Sequence, residues 1–326
     1  METKIIREKI ENLIDLSTGK TLKESKAIKH IGIDDDNNRV ILLISLGELG
    51  GEAEKKLRHE LAKILKLELK FSGVKFSFEE NRKIINKDTK FIIISSGKGG
   101  VGKSTIAANL AVALVRANKK VGIVDADIYN PSIPDIMEIE ITAPDVTSND
   151  KIVPFRKWGV EVMSTEFFAD RGRPIMWRGS QLNSLINNYF TQVAWDNKLD
   201  FMIIDAPSGT GDIMLDLKNI VPNAEYILVT VPHKLSSHMV SKTGAGAKEL
   251  NHNVIGVVEN MAYYKEGNKE INLIGQSVAE EIAELFDTEV LSKIPFAKPE
   301  KHFAIFEETE PVGKIFKDLA DFLIIR

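Results

Sequence analysis

The sequence predicts an α/β fold in which a mostly parallel sheet is covered by helices on both faces, preceded by a small α+β domain. The first observation is an apolar run that leads into a glycine-rich turn and then a helical run, at residues 91–115. The second is the alternation of short apolar strands with helical segments after that turn. The third is a polar, charged stretch after the first 80 residues. We therefore predict a small domain at 1–80, a linker at 81–90 and an α/β domain at 91–326.

The glycine-rich turn carries a phosphate-binding motif. Residues 91–105 read F-I-I-I-S-S-G-K-G-G-V-G-K-S-T, which places G-x-x-x-x-G-K-[ST] between a strand and a helix. Glycines are needed because backbone amides turn inward around phosphate oxygens with no Cβ in the way. The motif predicts ATP and Mg²⁺, with Lys103 on the β- and γ-phosphates and the Ser104 hydroxyl on the metal. The nucleotide-binding residues predicted here are Gly97, Gly99, Gly100, Val101, Gly102, Lys103, Ser104 and Thr105.

A second lysine, Lys98, directly follows the first glycine of the motif. The stretch G-K-G-G-V-G-K-S-T resembles the deviant Walker A motif of the MinD/ParA/Mrp superfamily of dimeric ATPases, a group within the P-loop NTPase fold. In those families the extra lysine reaches across a dimer interface to the partner's nucleotide. The resemblance therefore implies a homodimer in which Lys98, with Lys103, stabilises charge in the transition state.

Composition limits the possible functions. The chain has 326 residues, 43% of them apolar, and its net charge of -4 gives no global attraction to nucleic acid. We see no basic-then-apolar leader and no apolar run of membrane-spanning length, so we expect a soluble, cytoplasmic protein that does not bind membranes. Cysteine is absent. That absence excludes disulfides, thiol catalysis and Cys-ligated zinc or iron-sulfur sites within this chain.

The first 78 residues are predicted to form a small α+β unit. Apolar residues at helical spacing predict a first helix, namely Ile5, Ile6, Ile10, Leu13 and Ile14. Strands at 27–33 and 39–46 flank a D-D-D-N-N turn that lacks the spacing of an EF-hand, and a helix at 52–67 precedes a strand at 74–78. This order resembles the small domain that precedes many Mrp-type ATPases and also occurs alone in iron-sulfur assembly factors. That domain often has a cysteine before its second helix, where this chain reads L-G-E-L-G-G.

The α/β domain has further strands at 121–124, 201–204, 226–231 and 254–258, and ligands in such sheets bind beyond the C-terminal strand ends. Residues 125–132 read D-A-D-I-Y-N-P-S, which resembles the D-A-D-I-Y-G-P-S of Mrp proteins. The resemblance implies that Asp127 positions the attacking water, and we assign Asp125 to the Mg²⁺ shell. A solvated turn at the strand end is the alternative interpretation.

The strand at 201–204 ends in Asp205, which gives a Walker B pattern whose carboxylate holds Mg²⁺. The following A-P-S-G-T-G-D resembles the family's switch II, and Gly209 and Gly211 predict a loop that moves with the γ-phosphate. Trp177-Arg178-Gly179 matches the W-R-G of Mrp proteins, where we expect it to brace the dimer or the switch region, although ordinary packing explains Trp177 alone.

The base of the nucleotide has its own candidate residues. Residues 254–264 read V-I-G-V-V-E-N-M-A-Y-Y, close to the G-V-V-E-N-M-S of the family. The resemblance implies that Asn260 reads the adenine edge and that Pro295, in I-P-F, lies against the base. The alternative for Asn260 is a helix or turn cap.

The resemblance to the Mrp/ApbC family covers almost the whole chain and implies an iron-sulfur cluster carrier or assembly ATPase. Its partners would then be iron-sulfur apoproteins or assembly factors. Carriers of this family place C-P-x-C after E-N-M-S, whereas this chain has none, so direct cluster binding rests on family analogy only. A Cys-less, SalA-like transcriptional regulator that binds DNA is the first alternative. A MinD/ParA-like positioning ATPase is the second, although the helix at 312–326 is predicted to dock on the sheet and not on a membrane.

Overall fold

The computed structural model describes residues 2–16, 19–34, 37–46, 51–80, 88–168, 179–209 and 212–326. The chain divides into two compact units, Met1–Lys83 and Ile84–Arg326. Several predictions fall outside the described residues: part of the aspartate turn (35–36), most of the loop before the second helix (47–50), most of the linker (81–87), Trp177 and Arg178, and Gly211.

The first unit is a three-stranded sheet packed with two helices. Strand β3 runs antiparallel to β4, which runs parallel to β5. The core lies between this sheet and the helices and includes Ile6, Ile10, Leu42, Leu57 and Leu61. The elements are α1 (Glu2–Ile10), β1 (Ile14–Asp15), β2 (Lys20–Thr21), β3 (Ile28–Asp34), β4 (Arg39–Leu46), α2 (Glu52–Lys63), a π-helical turn (Ile64–Glu68) and β5 (Gly73–Glu80).

The first helix is shorter than its apolar spacing predicts. It ends at Ile10, and Leu13 N–H donates to the Ile10 carbonyl in a turn. Ile14 pairs with Thr21 in the short β1–β2 ladder. The helical prediction for Leu13 and Ile14 is therefore wrong, because a strand pair with a later segment overrides the local periodicity.

The second unit is built on an eight-stranded sheet of order β15-β12-β11-β6-β10-β7-β9-β8, parallel throughout except for β8 against β9. Its strands are β6 (Lys90–Ser96), β7 (Val121–Asp125), β8 (Phe155–Lys157), β9 (Val160–Met163), β10 (Phe201–Asp205), β11 (Glu225–Thr230), β12 (Asn253–Glu259) and β15 (Val290–Lys293), and a separate hairpin is formed by β13 (Tyr264–Glu266) and β14 (Lys269–Ile271). Its helices are α3 (Lys103–Arg116), α4 (Ile133–Ile136), α5 (Gly179–Thr191), α6 (Asp212–Ile220), α7 (Lys234–Glu249), α8 (Ala279–Phe286) and α9 (Pro311–Ile325).

Two inner strands of the sheet are buried along their whole length, which confirms the predicted fold class. Every residue of β7 and β10 is buried. Because successive side chains of a strand point to opposite faces, continuous burial requires cover on both faces of the sheet. The predicted strands at 121–124, 201–204, 226–231 and 254–258 correspond to β7, β10, β11 and β12.

The C-terminal helix α9 packs mainly on α3 and also reaches β15. Its buried face consists of Val312, Gly313, Phe316, Leu319, Ala320 and Leu323. In the part of the chain that the structure describes, no helix is both long enough and apolar enough to cross a membrane.

Candidate functional site

The predicted phosphate and metal residues converge at the C-terminal ends of three neighbouring strands. Strand β10 lies between β6 and β7, and Asp205 pairs in register with Ile94 on one side and Asp125 on the other. The glycine-rich loop follows β6 directly and leads into α3, which begins at Lys103. This parallel register brings residues that are about a hundred positions apart in sequence to one edge of the sheet.

The glycine-rich loop needs glycine for two separate reasons. Gly102 has a φ of +83°, in the left-handed region that favours glycine, and a Cβ there would lie 2.2 Å from Asn260 Nδ2. A Cβ on Gly97 would lie 2.2 Å from the carbonyl carbon of Met239, which lies within α7. A side chain is therefore excluded by close neighbours at Gly97, and by both neighbours and backbone conformation at Gly102.

Lys103 is the centre of the charged cluster. Its side chain is 7% exposed, and Nζ donates to Asp205 Oδ1 at 2.5 Å and to Ser104 Oγ at 3.4 Å. The same nitrogen lies 3.9 Å from Asp127 Oδ2. Three predicted site residues thus meet around the ammonium group of a fourth. In this arrangement the positive charge of Lys103 offsets the negative charges of Asp205 and Asp127.

Asp205 has an oxygen that fits a metal ion. Its Oδ2 is fully buried and has no hydrogen-bond partner among the described residues. Burial raises the pKa of the Asp205 carboxyl, and the Lys103 ammonium opposes that rise. Hard oxygen ligands such as this carboxylate and the Ser104 hydroxyl are those that Mg²⁺ prefers. The residues present therefore fit the predicted Mg²⁺.

Asp125 is held by the protein itself. Its Oδ2 accepts hydrogen bonds from the backbone N–H groups of Ser132 at 3.0 Å and Ile133 at 3.2 Å, and from Ser164 Oγ at 3.2 Å. Burial first, and the nearby Asp205 second, raise the pKa of Asp125 to about 8. In this structure Asp125 fixes the loop that carries Asp127, and its place in the metal shell stays a prediction.

Asp127 and Lys98 are more accessible than the buried cluster. The Asp127 side chain is 17% exposed, and burial raises its pKa while Lys103 opposes the rise. Lys98 is exposed, and among the described residues no carboxylate pairs with its ammonium group. A water molecule can therefore reach the Asp127 carboxylate, and the Lys98 ammonium group is accessible to a second protomer.

The candidate base-binding residues lie beside the loop. Asn260 Nδ2 donates to the Val101 carbonyl at 2.9 Å, so the amide connects the end of β12 to the glycine-rich loop. The half-buried Pro295 lies between Ile294, whose N–H donates to the Glu259 carbonyl, and Phe296, whose N–H donates to the Tyr263 carbonyl. Adenine recognition by Asn260 and Pro295 stays a prediction, and the bond to Val101 is a contact that the sequence did not indicate.

Two further residues that support the site were missed by the sequence analysis. Ser164, at the end of β9, anchors Asp125. Glu259 is fully buried before Asn260 and accepts bonds from Ser277 Oγ at 2.7 Å and Val278 N–H at 2.8 Å. A charged residue at the end of the apolar run V-I-G-V-V was a usable signal for Glu259, whereas nothing local marks Ser164.

The segment after Asn260 forms the exposed β13–β14 hairpin. Every residue of both strands is exposed, and cross-strand pairs join Tyr264 to Ile271, Lys265 to Glu270 and Glu266 to Lys269. Among the described residues, no three His, Asp or Glu side chains lie close enough together to hold a metal ion.

Comparison with known proteins identifies relatives over most of the chain. The profile of a family described as ParA, NUBPL iron-transfer P-loop NTPase, matches residues 87–318. The iron-sulfur cluster carrier protein of Bacillus subtilis is 35% identical over 323 residues, covering 92% of this chain and 91% of that protein. The iron-sulfur cluster transfer protein NUBPL of Mus musculus is 33% identical, covering 67% of this chain and 68% of that protein.

Solved structures of nucleotide-binding proteins share the fold of the second unit. The nucleotide-binding protein of Archaeoglobus fulgidus, in complex with ADP, superposes with a TM-score of 0.55 at 31% identity, covering 71% of this chain and 86% of that one. The cell division ATPase MinD of Pyrococcus furiosus gives a TM-score of 0.51 at 24% identity, covering 72% and 98%. The second likeness shows the fold alone.

Proposed function

The chain belongs to the ParA/NUBPL family of iron-transfer P-loop NTPases, which makes it an enzyme of the P-loop ATPase class, and we propose that it is a homodimeric, Mg-ATP-dependent factor in iron-sulfur cluster delivery. The observation that carries the proposal is the contact of Lys103 with Asp205 and Ser104 beside a loop that requires glycine at positions 97 and 102. The family and its iron-sulfur carrier relatives support the role in delivery. Hydrolysis, dimerisation and a cytoplasmic location belong to the proposal.

Each residue of the nucleotide site has its own role in phosphoryl transfer. The loop amides bind the phosphate oxygens, and Lys103 exchanges its carboxylate partner for the γ-phosphate. Ser104 and Asp205 would hold Mg²⁺, which when bound would neutralise phosphate charge on the nucleotide. Asp127 orients the attacking water from its partly exposed position. Asp125, held by Ser132 and Ile133, keeps the Asp127 loop in place.

Lys98 and Asn260 complete the site. The exposed Lys98 of each protomer reaches the nucleotide of the partner and stabilises charge in the transition state. Asn260 holds the loop through the Val101 carbonyl and leaves its own carbonyl oxygen to accept from the adenine amino group, next to Pro295.

The iron-sulfur cluster is the cargo in this proposal. This chain cannot ligate the cluster through thiolates because it contains no cysteine. The proposal is therefore that thiols of a partner hold the cluster while this protein supplies nucleotide-dependent assembly. The DNA-binding regulator and the positioning ATPase stay predictions that the relatives do not support.

Anaerobic reconstitution tests whether this chain turns over ATP without binding the cluster itself. The full chain is incubated with iron and sulfide, with and without ATP, and iron per dimer, the visible absorption band and ATP turnover are measured. We expect ATP turnover without a stably bound cluster. ATP-dependent activation of an apoprotein by a loaded, cysteine-containing scaffold, accelerated by this chain, would support the delivery role. Stoichiometric cluster on the chain alone, or no acceleration, would contradict it.

A further inference from the structure

The first unit carries a basic groove between α1 and β3. The groove encloses about 380 Å³ and is lined by Thr3, Lys4, Arg7, Lys29, His30 and Ile31. Three of the lining side chains are cationic at neutral pH, and no carboxylate of the described residues lines the groove, in a chain whose net charge is -4. We propose that the basic groove binds an acidic segment of a partner protein in extended conformation, as an added strand along β3.

The cations of the basic groove are not paired with carboxylates of the described residues. Among the residues that the structure describes, Lys4, Arg7 and Lys29 form no ion pair, whereas Lys9 on the same helix contacts Glu68 at 3.1 Å. Like charges that share a groove repel each other. A ligand that carries carboxylates replaces this repulsion with attraction, and such complementarity speeds association and fixes the register of the complex.

The backbone of β3 favours an extended peptide over a compact anion. Among the described residues β3 pairs on one side only, with β4, so its other edge has unpaired donors and acceptors. The register against β4 shifts between Ile28 and His30, which makes Lys29 the extra residue of a β-bulge. Lys29 and His30 are consecutive and both exposed, as a bulge permits and a regular half-buried strand does not.

The basic groove therefore offers the two elements of strand addition. The regular part of the β3 edge, which follows the bulge at Lys29, supplies main-chain hydrogen bonds, and the cations exclude uncharged strands and select acidic side chains. The half-buried Ile31 adds an apolar contact. A peptide in which acidic and apolar residues alternate matches this pattern, because alternate side chains of a strand point to the same side.

The test uses the full chain and a fluorescein-labelled peptide of alternating valine and glutamate, followed by fluorescence anisotropy at low salt. We expect binding that weakens as salt rises and that falls about fivefold or more in the Lys4→Glu/Arg7→Glu double variant and in Lys29→Glu. Lys56→Glu, an exposed lysine on α2, is the matched control and should change binding by less than about twofold. Far-UV circular dichroism and unaltered ATP turnover check that each variant is folded.

Two further probes decide the identity of the ligand. A peptide in which prolines replace alternate valines keeps the charge but loses the main-chain donors that strand addition needs, and we expect it to bind at least about fivefold more weakly. Equal binding by that peptide would overturn the proposal. So would tighter binding of an oligothymidine probe, equal weakening by Lys56→Glu, or no measurable binding of the valine-glutamate peptide.

Discussion

The edge of the sheet that carries the glycine-rich loop and the β13–β14 hairpin differ in what their side chains can bind. At the edge, Lys103 and Asp205 form a buried ion pair, and an unpartnered carboxylate oxygen is poised for a cation. In the hairpin every strand residue is exposed, and residues of opposite charge face each other across the two strands, as Glu266 and Lys269 do.

This contrast shows that the buried charges of the nucleotide site and the exposed charges of the hairpin lie in separate parts of the molecule. Carriers that this chain resembles place thiols after E-N-M-S, and the chain places the hairpin in that stretch of sequence. The nucleotide site needs a buried, polar and closely packed setting. A cluster site needs only a few sulfur ligands close together, which can be lost while the fold and the nucleotide site are kept.

The largest expected effect is a gain of function in the hairpin. Glu266 and Lys269 lie directly opposite each other, so Glu266→Cys/Lys269→Cys places two thiolates side by side, and a dimer would supply four. We expect anaerobic reconstitution to give bound iron and a visible absorption band that the parent chain lacks. Glu266→Cys alone, which would supply two thiolates per dimer, is the control and should bind no stoichiometric cluster. Equal loading of both variants would show that the opposed thiol pair is not what holds the cluster.

The next largest effect is expected at the sheet edge. Lys103→Ala removes the cation that would face the γ-phosphate, and we expect ATP turnover to fall by about 10²–10³-fold. Lys269→Ala in the hairpin changes the same residue type at an exposed position and should leave turnover within about twofold. Steady-state hydrolysis of both variants, with circular dichroism as a folding check, makes the comparison. Undiminished turnover in Lys103→Ala would contradict the assignment of the site.

A smaller effect should follow from loosening the glycine-rich loop. Asn260→Ala removes the hydrogen bond to the Val101 carbonyl, worth about 0.5–1.5 kcal/mol. We expect the KM for ATP to rise about three- to tenfold with kcat nearly unchanged, since nucleotide binding is affected more than phosphoryl transfer. Asn268→Ala, in the turn of the hairpin, is the control. An equal loss in kcat would assign Asn260 to the chemical step.

The sequence predicted the parts of the site that local motifs encode. A strand followed by a fixed residue pattern locates Lys103, Asp125 and Asp205, and the rule for parallel sheets brings them to one edge. The contacts of Ser164 with Asp125 and of Asn260 with Val101 join segments far apart in the chain. They depend on strand order and register, which no local pattern specifies.

The same limit applies to the smaller elements of the fold. The β13–β14 hairpin and the short antiparallel β8 have few residues and no long apolar run, so their alternation is too brief to predict. The end of α1 at Ile10 depends on pairing between Ile14 and Thr21. In each case a tertiary contact decides what a short stretch of sequence leaves undetermined.

The last expected effect is on stability and concerns the buried Asp125, whose pKa of about 8 is set by burial and by Asp205. An unfolded chain releases this proton near pH 4, so between about pH 4 and pH 8 the folded state binds more protons than the unfolded state. The free energy of unfolding of the protein, free of metal and nucleotide, should therefore fall as pH rises through this range.

Asp125→Asn removes that dependence while keeping an acceptor oxygen for the Ser132 and Ile133 amides. We expect its Tm to exceed that of the parent by an amount that grows between about pH 4 and pH 8 and then levels off, with about 2–4 °C for each kcal/mol. Thermal unfolding in EDTA measures this, with Asp318→Asn on the exposed face of α9 as control. A difference in Tm that does not vary with pH would mean that Asp125 is ionised in the folded state throughout. Ionising a carboxyl at the buried edge of the sheet would then cost no more free energy than ionising one in the exposed hairpin.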